Sequence, residues 1–555
     1  MESAYQIAMR DMGNLIGLAN STEPIINGVT NVNLNDPKYK IKGDGTDETI
    51  KIRQVFRDAM DKGKAIDLGS AKFRYTISES IVIDRPLTII ANGANSIFEQ
   101  LSWGVPCLEI RTPDVKIVGV FQTEINTLRT TITVLNPKNN SMVKAELGIP
   151  REACAAIYCK GNFSRLNIDT LNAKGYVVGI NIIGDLDTFP DNLNINSVIV
   201  ENVDFGVLGG AFRNFKIGTI QAKNILNSQG VDEHALYFVI KPKRSEGFQC
   251  DAIFCNGIFS PAHIVSMKSV DGYSIGLIRG ENVANYFNAN LARGIVESIE
   301  GTSSYGDNVG YGIFVFGDDQ WGYGLPTDAV INNVNITNQA NFINNNNKGW
   351  GIAITGGASA TINNTRIKMV ASNPSNAIYT SGNGRIVINK PVIEYGSAQS
   401  QYAFLVNTTK ETIINDPELI GGSLLLSKSN GMKYELTFDP NKVRSGIIDS
   451  SISTTDGIFN NIFSAFMKAP FLIAPSNNQP ALRSCNVLKT NNSGVVTITT
   501  FRLGTNGQEF YLLAGDNNTT VQHNSNIVLQ GGVNLAPGTW KVLKFSWWDG
   551  VAYQM

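Results

Sequence analysis

Residues 327–367 read TDAVINNVNITNQANFINNNNKGWGIAITGGASATINNTRI, and this stretch holds two copies of the unit that decides the fold. Ile331-Asn332 returns as Ile362-Asn363 after 31 residues, and each isoleucine is followed five positions later by another, Ile336 and Ile367. Between the copies, Gly351-Ile352-Ala353-Ile354 alternates apolar and small residues, the period of a strand with one buried face. A repeat of this length has to be read before any local assignment, because a stacked coil and an isolated strand share the same short-range pattern.

Working outward, the pair Ile-Asn or Ile-Gly also stands at Ile195-Asn196, Ile217-Gly218, Ile275-Gly276, Ile388-Asn389 and Ile414-Asn415. Successive intervals are 22, 58, 56, 31, 26 and 26, so the two long gaps are expected to hold two coils each, of about 29 and 28 residues. Val200, Ile393 and Leu419 repeat the apolar residue five positions on, and a second lane recurs at Gly179–Ile182, Ala235–Phe238, Gly312–Val315 and Asn376–Ile378. Asn and Gly share tolerance of a left-handed backbone, so each pair is expected to mark a sharp corner. Stacked asparagines there can also bond along the axis as amide ladders. Strands every 20 to 30 residues without long helices predict an all-β, right-handed parallel β-helix instead of a doubly wound sheet or an irregular β-sandwich.

The 555 residues are 43% hydrophobic and 17% charged, enough to bury a large core and more than one domain. A net charge of −1 gives no general attraction to nucleic acid or an anionic membrane, and no apolar run reaches membrane-spanning length. The first residues, MESAYQIAMRDMGN, lack the layout of a signal peptide, so synthesis in the cytoplasm is expected. Six cysteines without CxxC spacing read as buried free thiols, and three histidines without HExxH predict neither a metal nor another cofactor.

Residues 43–77, GDGTDETIKIRQVFRDAMDKGKAIDLGSAKFRYTI, place Asp47 as the cap of a short helix with Ile50, Val55, Phe56 and Ala59 on one side. Strands are expected at Ala65–Leu68 and Phe73–Ile77. This order resembles the N-terminal signature of the pectate-lyase-like superfamily in the version found in phage tailspikes. Residues 504–548, with alternation in Phe510–Leu513 and Ile527–Leu529 and turns at Gly531-Gly532 and Pro537-Gly538, look like the β-rich C-terminal domain of tailspikes and fibres. The resemblance implies a neck over 1–40, a β-helix with its capping helix over 41–430 and a sandwich-like C-terminal region over 431–555. It further implies a homotrimer on the virion, joined to the phage tail or an adaptor through its N-terminus. The anchoring domain usual in such proteins is not visible in residues 1–40, which leaves a longer parent chain and an adaptor both open.

The same resemblance implies a depolymerase acting on a bacterial capsular polysaccharide or O-antigen. Hydrolysing a glycosidic bond needs two carboxyl groups, one acid and one base or nucleophile. The region 231–328 is expected to hold them. Laying Gly294 under Gly312 and Ile295 under Ile313 puts Glu300 beside Asp318, with Asp319 and Glu297 as substitutes if the register slips by one. Trp321, Tyr323 and Tyr305 offer flat faces for sugars, with the trimer seam as their other reading. Lys243, Arg244 and Arg279 could meet an acidic glycan, and Glu233 should face outward while His234 points into the core. Three rivals stand beside the hydrolase: a lyase using Tyr237, Lys241 or Arg279 as base, a non-enzymatic receptor-binding spike, and a purely structural tail component.

Overall fold

One buried residue in every two lets a strand bury a single face, and chains of such strands have to stack. The computed structural model describes residues 31–69, 73–102, 104–125, 154–184, 188–225, 234–239, 244–257, 262–302, 311–317, 326–338, 350–370, 376–396, 403–408, 412–420, 426–428, 434–437, 457–460, 471–472, 477–482, 487–502, 504, 506–538 and 542–555. They form two compact units, residues up to 385 and residues 386–555.

In the first unit the chain passes alternately through two long parallel sheets, an arrangement consistent with a parallel β-helix. The repeated isoleucines stack in register in the first sheet: Ile66 on Ile89, Ile117, Ile168, Ile195 and Ile217 in turn. The column continues through Cys250, Ile275, Val296, Ile331 and Ile362. Each long gap therefore does hold two coils, divided unevenly at Cys250 and Val296. The second lane is equally continuous, from Ile180 through Val207, Leu236, Val265, Phe287, Ile313 and Ile352 to Ile378. All but two of these inward residues expose 0% of their surface, Ile168 exposing 1% and Cys250 2%; each full burial of an aliphatic or aromatic side chain contributes about 1.5–3 kcal/mol.

The corner chemistry differs from the sequence expectation. Asn196, Gly218, Gly276 and Asn332 are not left-handed; they lie within continuous strands. In six coils a left-handed position comes three residues before the stacked apolar one, at Asp114, Arg165, Asn192, Asn214, Gly247 and Gly272, with φ from 49° to 75°, whereas Asn364, Lys390 and Asp416 turn left directly after an Ile-Asn pair. Gly218 and Gly276 are required for close approach instead: an added Cβ would sit 2.4 Å from the Asn196 carbonyl oxygen and 2.5 Å from that of Asp251. The amide ladder does form, with Asn363 Nδ2 donating to Asn332 Oδ1 at 3.0 Å.

The helix spans Thr49–Asp61 and starts one residue later than expected, with Glu48 at its cap position. Asp47 still accepts from the Thr49 N–H at 3.0 Å. Buried Ile52, Val55, Phe56, Ala59 and Met60 form a stripe at i, i+3, i+4, i+7 and i+8, which leaves Ile50 off it and 85% exposed. Glu48 accepts the backbone N–H groups of Lys42 and Gly43, closing the GDGTD turn over the helix start. Parallel pairing begins within the expected neck, where Val32–Asn33 joins Ile66–Asp67.

In the second unit Ile388 stacks on Ile414, Leu436 and Phe459, so parallel pairing runs past the expected boundary at 430 as far as Asn460. Asn415 Nδ2 donates to Asn389 Oδ1 at 2.8 Å, another step of amide ladder. Beyond it, Gln508–Leu513 pairs antiparallel with Val542–Trp548, which turns back through Asp549-Gly550 into Val551–Gln554. Both turn residues have positive φ, as a two-residue hairpin requires. Phe501, Phe510, Phe545 and Trp547 fill this region's own core.

Candidate functional site

Every outward lane of the first sheet offers one side chain per coil, about 4.8 Å apart. One residue beyond the stacked apolar column, successive coils present Asp169, Asn196, Gly218, Asp251, Gly276, Glu297, Asn332 and Asn363. Asp251 and Glu297 are exposed and stand two coils apart, about 9.5 Å at the backbone. Gly276 lies between them and Gly218 precedes Asp251, so no side chain fills the space on either side of that carboxylate.

The Asn363–Asn332 ladder continues to Glu297, whose Oε2 accepts from Asn332 Nδ2 at 2.7 Å. Asn333 Nδ2 adds a bond to the Glu297 carbonyl oxygen at 3.0 Å. Asp251 makes no side-chain hydrogen bond or ion pair among the described residues. Asp169, at the far end of the lane, is occupied: it accepts the Gly119 N–H at 2.8 Å.

Three residues along the strands, the next outward lane carries Gln221, Phe254, Arg279, Glu300 and Asn335. Arg279 donates to Glu300 Oε2 through Nη2 at 2.7 Å and Nε at 3.2 Å, a charge-assisted pair that fixes both side chains. Phe254 is half-buried beside Arg279 and leaves part of its ring to solvent. Two carboxyl groups in one lane, an oriented third carboxylate and an aromatic face therefore share one surface.

Of the residues singled out by sequence, Glu297, Glu300 and Arg279 come together here. Asp318, Asp319, Trp321, Tyr323, Tyr305, Lys243, Lys241 and Glu233 lie outside the described residues. Arg244 pairs with Asp271, which also takes both arms of Arg293 at 2.9 and 2.8 Å. The alignment of Gly294 under Gly312 is overturned. Arg293–Thr302 lies in the first sheet, with Gly294 between Tyr273 and Ala329, whereas Tyr311–Phe316 lies in the second. Both lanes of a coil carry the same Gly-apolar alternation, so the pattern alone could not separate them. Glu300's neighbours are Arg279 and Asn335.

Sequence reading missed Asp251 and Phe254. A signal was present: between Ile195 and Ile362, Cys250-Asp251 and Val296-Glu297 are the two coils where the Ile-Asn/Gly pair fails, and in both a carboxylate replaces the amide or glycine.

On the second sheet, Lys268 Nζ donates to Tyr237 Oη at 2.7 Å, and His234 is buried as the alternation predicts, its ring 5.1 Å from that of Tyr237. Five of the cysteines are described, all free and buried. Among the described residues no group of three or more metal-ligating side chains occurs, and no helix is long and apolar enough to cross a membrane.

No protein-family model matches the sequence, and no curated protein matches it. Among solved structures, one titled as the crystal structure of the Agl-KA catalytic domain is similar at a TM-score of 0.32 and 11% identity, over 75% of this chain and 69% of that one. So low a score carries no argument about what this chain does.

Proposed function

We propose that this chain is a phage tailspike depolymerase, a homotrimeric right-handed β-helix that hydrolyses internal glycosidic bonds of a bacterial surface polysaccharide. One observation carries the chemistry: Asp251 and Glu297 project from one lane with only glycine between them. Their backbones stand about 9.5 Å apart, from which the two side chains can reach the carboxyl spacing that admits a water beside the sugar ring, the inverting arrangement. Glu297, already an acceptor toward Asn332, takes the proton of the attacking water. Asp251 protonates the leaving oxygen, and Glu300, held by Arg279, orients sugar hydroxyls against the Phe254 face. The tailspike assignment is supported by the GDGTD turn, helix and strand in order.

Asp251→Asn and Glu297→Gln should each lower the rate of chain cutting by about 10²–10⁴-fold with the fold unchanged, measured by fragment sizing on a panel of bacterial polysaccharides. Full activity in both variants sinks the assignment. A second reading, the lyase, draws on the Lys268–Tyr237 contact, a phenol and an amine placed for proton transfer. New ultraviolet-absorbing double bonds in the products, lost in Tyr237→Phe, would select it.

A further inference from the structure

Upstream of the carboxylates, on the same outward face, the first sheet carries a polar groove of about 630 Å³. Its floor is one lane, Lys116, Asn167, Asn194 and Lys216, on four successive coils. One wall is the left-handed corner, where the Asp114 carboxylate takes both arms of Arg165 at 2.6 Å and their charges cancel. Lys116 and Lys216 differ: both are exposed, and neither has a hydrogen-bond or ion-pair partner among the described residues. The groove therefore presents two uncompensated ammonium groups three coils apart, about 14 Å, with two carboxamides between them.

The next coil places Gln249 beside Lys216, and Asp251 lies two residues further along that strand, on the same face. A chain lying along the lane would reach Asp251 with its flank over the lysines. We infer that this groove is the binding track for an acidic polysaccharide, whose carboxylate groups meet Lys116 and Lys216 while its hydroxyls bond to Asn167 and Asn194. The inference rests on the polysaccharide reading above and narrows it to anionic chains. Ammonium groups do not select among neutral sugars, whereas a carboxylate gains a charge-assisted bond at each.

The full chain is offered a panel of bacterial polysaccharides, acidic and neutral, each acidic member also in carboxyl-reduced form, and binding is measured on an array at two salt concentrations. At least one acidic member should be held, more weakly at higher salt, with its reduced form lost. The double variant Lys116→Gln/Lys216→Gln should bind about tenfold more weakly at an unchanged melting temperature, the sum of two exposed charge pairs. Binding that survives carboxyl reduction, a double variant indistinguishable from wild type, or no member held at all overturns the inference. Fragment sizing separates the two readings. A neutral polysaccharide that is cut overturns the acidic track and leaves the hydrolase standing, whereas an acidic one held through the lysines but never cut does the reverse.

Discussion

At the scale of single residues, the coil is governed by places where side chains are forbidden. Gly276 allows the backbone of its strand to approach the Asp251 carbonyl and leaves the gap between the two carboxylates. Gly276→Ala should cost about 1–3 kcal/mol of stability by overpacking, seen in thermal unfolding, and depress cutting beyond that loss. Asn192 tests the left-handed corner. Its φ of 57° is open to glycine but costly for a β-branched residue, so Asn192→Val should destabilise by about 1–2 kcal/mol and Asn192→Gly far less. Equal melting of the two would remove the corner argument. The isoleucine pairs located the coils because burial imposes the same residue on each. They misplaced the turn by a few positions, because Asp114 and Arg165 adopt left-handed backbone without being Asn or Gly. Asp251 stayed hidden for a related reason: it occurs where cysteine replaces the isoleucine that marks a coil.

At the scale of elements, strand register decides which charges meet. Glu246 stands beside Asp271, which stands beside Arg293, and the Asp271 carboxylate gathers both Arg293 and Arg244. Hydrogen bonds from Arg293 first, and then Arg244, hold this carboxyl below its ordinary value of 3.8 against the opposing effect of burial. A carboxyl depressed by folding stabilises the protein above its unfolded value, and that contribution is lost as pH falls through the folded one. Asp271→Asn should therefore melt below wild type at neutral pH, by about 1 kcal/mol for a partly exposed network, and the gap should close under acid. A gap that persists unchanged at acid pH contradicts the clamp. The helix was legible as an element and not in its facing: apolar Ile50 fits a helical window, yet the stripe through Ile52 and Phe56 turns it to solvent.

At the scale of the whole molecule, the buried thiols report on integrity. Burial pushes Cys107 and Cys255 up to about 12, and Cys154, Cys159 and Cys250 are buried with them. None of these five should react with iodoacetamide at pH 8 in the native protein, and all should react in denaturant; mass spectrometry of digests distinguishes the two states. Native labelling of any of them would mean that coils open locally. The proposed trimer predicts a solution mass of three chains of 60.2 kDa by light scattering, and a single-chain mass would refute it.

Neighbouring coils keep their apolar column aligned although the chain between stacked positions varies from 21 residues, Ile275 to Val296, to 51, Ile117 to Ile168. Thirty residues can thus enter or leave a single turn of the stack without shifting the pairing on either side of it. Such a scaffold separates inheritance of the frame from inheritance of its excursions: a lineage could lengthen or replace a connection while every stacked lane keeps its register.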